Sequence, residues 1–244
     1  MAIADQVDGF LRRLSFRWLP GHCVLCASAS GRARDLCAAC EQDLPFNTRC
    51  CARCALPLAA AEALCAHCLQ SPPAFVSAVT AFRYEWPLAG LITRFKFGGD
   101  LACGRVLSGL LAERVMAALA DRRIARPDLL LPVPLHHHRL RERGFNQALE
   151  IARLLGQRCA LPICQEVLQR HQITAAQSGL DAKARRRNVR GAFTATGRID
   201  GLQIALIDDV VTTAATVTEC ARVLKQAGAA AVQVWALARA PLPR

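Results

Sequence analysis

Apolar residues recur at helical spacing in several stretches of the chain and gather into short unbroken runs between them. Leu88, Leu91, Ile92 and Phe95 fall on one face of a turn-by-turn repeat, with Arg94 and Lys96 off that face. This predicts a helix that Gly98-Gly99 stops. A second helical pattern fills Leu101 to Ala120, and a third lies in "NQALEIARLLGQ" (146–157), with Phe145 expected to be buried and Asn146 to cap the helix. Between them "DLLLPVP" (128–134) is apolar and closed by prolines, which suits a buried parallel strand. "LQIALI" (202–207), a helix through about Ala227 stopped by Gly228, and "VQVWALA" (232–238) form a strand–helix–strand unit. Such alternation predicts an α/β fold with a parallel sheet and helices on both faces. From Arg170 to Arg190 the periodicity vanishes, leaving a polar, arginine-rich connection.

The first seventy residues follow a different rule. "MAIADQVDGFLRRLSFRWLP" opens a segment, 1–21, expected to be helical; it lacks the continuous apolar stretch of a signal peptide, and a cytoplasmic location is expected. Four C-x-x-C pairs follow: Cys23/Cys26, Cys37/Cys40, Cys51/Cys54 and Cys65/Cys68. The second two repeat the first two at an offset of 28 residues. A C-x-x-C turn puts two thiolates on one side of a tight loop, and two turns complete the tetrahedron that zinc prefers. A stretch this short, with little apolar periodicity, gains from structural zinc the stability that its core cannot supply. Two zinc ions are expected. Local pairing of neighbouring turns is simplest, although nested or crossed pairings have the same spacings. Cys50, His22 and His67 lie beside these ligands and are read as bystanders. Pro72 and Pro73 mark a boundary, so the expected division is 1–21, a zinc-ribbon module at 22–70, and an α/β domain at 75–244.

Thirteen cysteines in a 244-residue chain without an export signal favour metal or free thiols over disulfides. No apolar run reaches the ~20 residues of a membrane span. The net charge is +12, and residues 134–191 hold eleven Lys and Arg against four Asp and Glu. A polyanion would be drawn to that segment, whether a small phosphorylated molecule or a nucleic acid. Aromatic content of 5%, with only Phe145 inside the basic stretch, argues against extensive base stacking.

The chemistry concentrates in "LIDDVVTTAAT" (206–216). In open parallel sheets, ligands sit beyond the carboxyl ends of strands where loops enter helices. Asp208 and Asp209 fall there, followed by Thr212, Thr213 and Thr216 and by the free N–H groups of a helix start, a natural phosphate cradle. A carboxylate pair beside such a cradle fits a ligand that brings hydroxyls as well as phosphate, as a ribose phosphate does. The same residues also suit plain helix capping by Thr212 or Thr213. The G-x-x-x-x-G-K-[ST] loop and the G-x-G-x-x-G fingerprint are both absent.

That stretch resembles the phosphoribosyl pyrophosphate (PRPP) motif of type I phosphoribosyltransferases. Together with the paired cysteines, "RFKFGGD", "LPVPLHHHRLRERGFNQA" and "ARRRNVRGAF", in this order, the chain is similar to the ComF/GntX family of competence-related, phosphoribosyltransferase-like proteins from Cys23 onward. The resemblance implies that Asp208 and Asp209 hold the ribose hydroxyls, directly or through Mg²⁺, and that Thr212, Thr213, Ala214, Ala215 and Thr216 wrap the 5′-phosphate. It implies pyrophosphate contacts from Arg139, Arg143 and His136, and a mobile loop in which Lys183, Arg185 and Arg187 are the candidate catalytic groups. PRPP with Mg²⁺ is the implied ligand, transfer of the phosphoribosyl group the implied reaction, and DNA uptake the implied setting. Single-stranded DNA and proteins of uptake or recombination are the implied partners; a non-enzymatic DNA-handling role is the alternative. Ala214 stands where the motif usually has glycine. Because Ala215 and Thr216 run straight into a helical pattern, Ala214 is expected to adopt ordinary helical angles.

Overall fold

The computed structural model describes residues 21–59, 63–171 and 189–241. The expected N-terminal helix and the loop residues Lys183, Arg185 and Arg187 lie outside them.

Four parallel strands form the central sheet: β1 (Ser77–Arg83), β2 (Leu129–Pro132), β5 (Gln203–Val211) and β6 (Ala231–Arg239), in the spatial order β1-β6-β5-β2. Neighbouring residues of β5 point to opposite faces, as a period of two requires. Ala205 and Ile207 join one buried cluster, with Leu107, Leu111 and Leu155. Ile204 and Leu206 join the other, with Cys220, Ala221 and Leu224. Both faces are therefore covered, which is why these strands read as continuous apolar runs rather than alternating ones.

The first face is covered by α3 (Leu88–Phe97), α4 (Leu101–Ala120) and α6 (Gln147–Cys159). All four residues of the apolar repeat in α3 are buried. The turn into α4 is fixed by Asp100, whose carboxylate accepts from the Cys103 N–H at 3.1 Å and from Arg94 at 2.6 Å. Gly104 is needed there, because a Cβ would sit 2.5 Å from the Phe95 ring. Asn146 caps α6 by accepting from the Ala148 N–H at 3.0 Å while its amide donates to the Val133 carbonyl at 3.1 Å. The helix start is thus tied to the end of β2. Phe145 is half-buried against the same core rather than fully enclosed.

The second face carries α7 (Ala215–Gln226), which ends before Gly228 at φ 101°. A short antiparallel pair, β3 (Leu168–Arg170) and β4 (Phe193–Ala195), adjoins it.

The cysteine-rich segment contributes α1 (Ala38–Gln42) and α2 (Ala66–Gln70) and is packed onto the α/β part rather than tethered to it. Cys23, Val24, Leu36 and Leu44 belong to the same buried cluster as α3 and α4. Pro45 accepts from the Arg83 N–H at 2.8 Å, and the Asn47 N–H donates to Ala81 at 2.9 Å. The buried Asn47 amide donates to Thr80 Oγ1 and to the Ala55 carbonyl, both at 2.8 Å. Backbone groups left over by the ribbon are satisfied by the sheet edge, as buried polar groups require. No helix among the described residues is long and apolar enough to cross a membrane.

Candidate active site and metal centres

β5 does not stop at Ile207, as the sequence suggests. It continues through the two carboxylates to Val211, because β6 runs on beside it and pairs Asp208 with Ala236, Val210 with Ala238 and Val211 with Arg239. Asp208 and Asp209 thus stand on a rigid strand at the carboxyl edge of the sheet. They line a cavity of about 730 Å³. Each is held by a neighbouring backbone group: Asp208 Oδ1 accepts from the Asp209 N–H at 2.9 Å, and Asp209 Oδ1 from the Val210 N–H at 2.6 Å.

The two acids differ in surroundings. Burial, and next the charge of Asp209, push the Asp208 carboxyl up to about 7; Lys96, the Asp209 N–H and Arg170 act in the opposite direction. Asp209 has a direct counter-ion instead, with Lys96 Nζ 2.9 Å from its Oδ2. Two like charges in contact cannot both ionise cheaply. Facing the acids are Arg139 and Arg143 of α5 (His137–Arg143) and Arg170 of β3. Burial lowers the pKa of Arg143 and Arg170, and the charge of Arg139 lowers both further. Three guanidiniums around one cavity repel one another and favour an anion between them.

Beyond Val211 the chain turns sharply. Ala214 has φ 60° and ψ 8°, in the left-handed region. The expectation of ordinary helical angles at this residue is therefore overturned. The helix begins one residue later, at Ala215, its first turn lines the cavity, and the turn before it takes a positive φ. For a residue with a Cβ that costs about 1–2 kcal/mol. Capping by threonine is not what starts the helix: no side chain caps α7, and Thr213 Oγ1 accepts from the Ala215 N–H only at 3.4 Å.

Of the residues singled out from the sequence, Asp208, Asp209, Thr212, Ala214, Ala215, Thr216, Arg139 and Arg143 line one cavity. Thr213 and His136 do not. His136 is buried and caps α5, its Nδ1 accepting from the His138 N–H at 3.3 Å, so it orders the loop from within. Lys96, Phe97 and Arg170 line the cavity and were not assigned a role from sequence. Lys96 offered a signal: a lysine off the apolar face of α3, inside "RFKFGGD". Its position is set by Gln147, which donates to the Lys96 carbonyl at 3.3 Å and accepts from Arg143 at 3.1 Å. The Arg143 guanidinium lies 4.9 Å from the Phe97 ring centroid.

The eight paired cysteines form two sets, Cys23/Cys26/Cys37/Cys40 and Cys51/Cys54/Cys65/Cys68, and within each set the ligand atoms all lie within 4.8 Å. Pairing is local. Four thiols at this spacing fit tetrahedral zinc. In each second turn the first cysteine also begins a helix: Cys37 and Cys65 accept from the Cys40 and Cys68 N–H groups. At Cys51 the N–H groups of Cys54, Cys65 and Arg53 outweigh the opposing effect of burial and bring the thiol down to about 7. Cys50, His22 and His67 belong to neither set. The sets differ in exposure: all four cysteines of the second are buried, whereas Cys26 of the first is exposed.

A parallel sheet whose central strand delivers an acidic pair and then a tight turn into a helix, joined to two four-cysteine centres, defines a phosphoribosyltransferase-like α/β domain carrying a double zinc ribbon. Residues 17–69 match the double zinc ribbon domain family. The chain is 35% identical over 222 residues to the DNA utilization protein YhgH of Escherichia coli K12, covering 91% of this chain and 98% of that protein. It is 33% identical over 225 residues to competence protein F of Haemophilus influenzae, covering 89% and 96% respectively. The chain belongs to the ComF/GntX family. Among solved structures, the purine phosphoribosyltransferase of Pyrococcus horikoshii aligns with a TM-score of 0.34 at 13% identity, over 55% of this chain and 72% of that one.

Proposed function

We propose that the cavity binds PRPP or a related ribose phosphate. The observation that carries this reading is one cavity lined by Asp208 and Asp209, by Thr212, Ala214, Ala215 and Thr216 at a helix start, and by Arg139, Arg143 and Arg170. A ligand with hydroxyls in the middle and phosphates at both ends matches that order. Asp208 and Asp209 accept from the ribose hydroxyls. The N–H groups after Ala214, with Thr212 and Thr216, take the 5′-phosphate. Arg139 and Arg143, joined by Arg170, face the pyrophosphate.

Mg²⁺ fits this site only with the ligand in place. Among the described residues the acidic pair forms no cluster of three ligating groups, and Asp209 already has Lys96 as a counter-ion. Mg²⁺ typically uses one or two carboxylates plus phosphate oxygens, and Asp208 and Asp209 supply the former. When bound, the ion would neutralise pyrophosphate oxygens.

The reaction such a site supports is attack of a nucleophile on the anomeric carbon of the ribose. The carbon–oxygen bond to pyrophosphate breaks, and pyrophosphate leaves with the electron pair. The protein's part is positioning the ribose and neutralising the leaving group through its arginines. Calorimetry with PRPP and Mg²⁺ tests the reading: saturable one-to-one binding is expected, and absence of heat at millimolar ligand argues against it.

A second reading has its own support. The basic excess of residues 134–191, in relatives named for DNA utilization and competence, favours contact with the backbone of single-stranded DNA during uptake, alongside proteins of uptake or recombination. Affinity that fails to fall with salt argues against it. A cytoplasmic location, and the division of the chain at about residues 70–75, belong to the same proposal.

A further inference from the structure

Arg239, the last residue of β6, is 3% exposed. A guanidinium so deeply enclosed would be expected to meet a carboxylate. Among the described residues it forms no ion pair with a carboxylate; it meets backbone carbonyls and the Cys54 side chain. Nε donates to the Cys54 carbonyl at 3.0 Å. Nη1 donates to Val211 at 3.0 Å, to Ala240 at 2.8 Å, and to Thr212 at closer range. One side of the fork therefore holds the C-x-x-C turn of the second cysteine set. The other holds the two residues that lead into the Ala214 turn.

The surroundings make this link stiff. The Arg239 backbone is fixed between two strands, its N–H and C=O flanked by β1 and β5, and its carbonyl accepts from the Tyr84 N–H at 2.9 Å. Cys51, Cys54, Cys65 and Cys68 share one buried cluster with Val211 and Ala215. The charges that act on the guanidinium are those of Cys54, Cys65 and Cys68, and four thiolates around one divalent ion would carry a net charge of −2, which complements a buried cation. Among the described residues the first cysteine set makes no hydrogen bond to residues 211–216; it packs with α3 and α4, where Arg94 donates to the Val24 carbonyl of its first turn at 2.5 Å.

We propose that Arg239 is a positioning residue that couples the second zinc centre to the phosphate turn, so that metal occupancy at Cys51/Cys54/Cys65/Cys68 governs how firmly residues 211–216 hold their ligand. At the ligand end the inference rests on the ribose-phosphate reading; the coupling itself does not. With zinc bound, the Cys54 carbonyl is fixed and Arg239 draws Val211 and Thr212 into the geometry that Ala214 needs. When zinc leaves, the Cys54 turn loosens and the guanidinium loses both its acceptor and its counter-charge.

The experiment compares amide hydrogen exchange of residues 211–216 with that of β2 in ligand-free protein, together with zinc content and ribose 5-phosphate affinity by calorimetry. Arg239→Met is expected to speed exchange in 211–216 by tenfold or more, to leave β2 unchanged, and to weaken ribose 5-phosphate binding about tenfold. Arg239→Lys keeps the charge but not the fork, and is expected to retain both zinc ions while still loosening the turn. Cys68→Ser, which removes a ligand of the second set, should loosen the turn; Cys26→Ala, which removes one of the first set, should not. Turn exchange equal to wild type in folded Arg239→Met, or equal responses to Cys68→Ser and Cys26→Ala, overturns the coupling. The two cysteine variants decide the matter should Arg239→Met fail to fold. Wild-type protein that ignores ribose 5-phosphate sinks the ligand reading alone, and the exchange comparison still decides the coupling.

Discussion

Lys96 and Asp209, 113 residues apart in the chain, form an ion pair of 2.9 Å in which the two side chains are 19% and 14% exposed. The pair joins α3 to the acidic end of β5 and supplies the cation that lets two adjacent carboxylates coexist. At an effective dielectric of ~20, two unit charges at ~4 Å repel by about 4 kcal/mol. Lys96 offsets part of that cost, while burial and the charge of Asp209 still push the Asp208 carboxyl up to about 7.

Lys96→Met is expected to destabilise the protein by about 3 kcal/mol, the lower end of the range for removing one partner of a buried pair. Adding Asp209→Asn should recover most of the loss, since the stranded charge goes with it. Denaturant unfolding of the two single variants and the double variant measures this. Additive losses would show that Lys96 and Asp209 are not energetically coupled.

The raised pKa of Asp208 gives a pH dependence of definite sign. In the folded protein this carboxyl titrates at about 7, against an ordinary 3.8. Between those values the native state keeps a proton that the unfolded chain has released, so this group makes stability fall as pH rises across the window. The slope is about 1.4 kcal/mol per pH unit for one proton. Asp208→Asn should flatten that slope and raise the stability of the ligand-free protein near pH 8 relative to wild type. Parallel stability–pH curves for the two proteins would refute the assignment.

Ala214 shows where sequence reasoning stopped. The helix of residues 215–226, the cap at Asn146 and the glycine stop at Gly228 were all legible, because each depends on residues close in sequence. The φ of Ala214 depends on where β5 ends, which depends on the length of β6, and neither is local. The same limit hid Lys96, whose partner comes from another element, and Arg239, whose contacts span 185 residues. His136 is a local feature of another kind: its Nδ1 caps the helix that follows, a role that the three consecutive histidines did not reveal.

From the observed φ, Ala214→Gly is expected to leave stability unchanged or raise it by up to ~1 kcal/mol, as relief of left-handed strain offsets the extra freedom of glycine in the unfolded chain. Ribose phosphate affinity should rise by up to about tenfold, or ~1.4 kcal/mol. A loss of stability near 1 kcal/mol, the penalty for glycine inside a helix, would mean that this residue is helical in solution.

Freshly purified protein should contain two zinc ions per chain. The set with exposed Cys26 should release its ion to a chelator before the fully buried set does. Metal-release kinetics followed with a chromophoric chelator would then show two phases. A single ion per chain, or one phase of release, contradicts the two-centre arrangement.

The central claim is that Asp208 and Asp209 hold a ribose phosphate, and its most direct test is calorimetric titration of Asp208→Asn/Asp209→Asn with PRPP and Mg²⁺ beside wild type. Charge-assisted hydrogen bonds of this kind are worth ~1.5–3 kcal/mol each, so losing two should weaken binding by at least a hundredfold in a protein that remains folded. Equal affinity in the folded double variant and in wild type would contradict the claim.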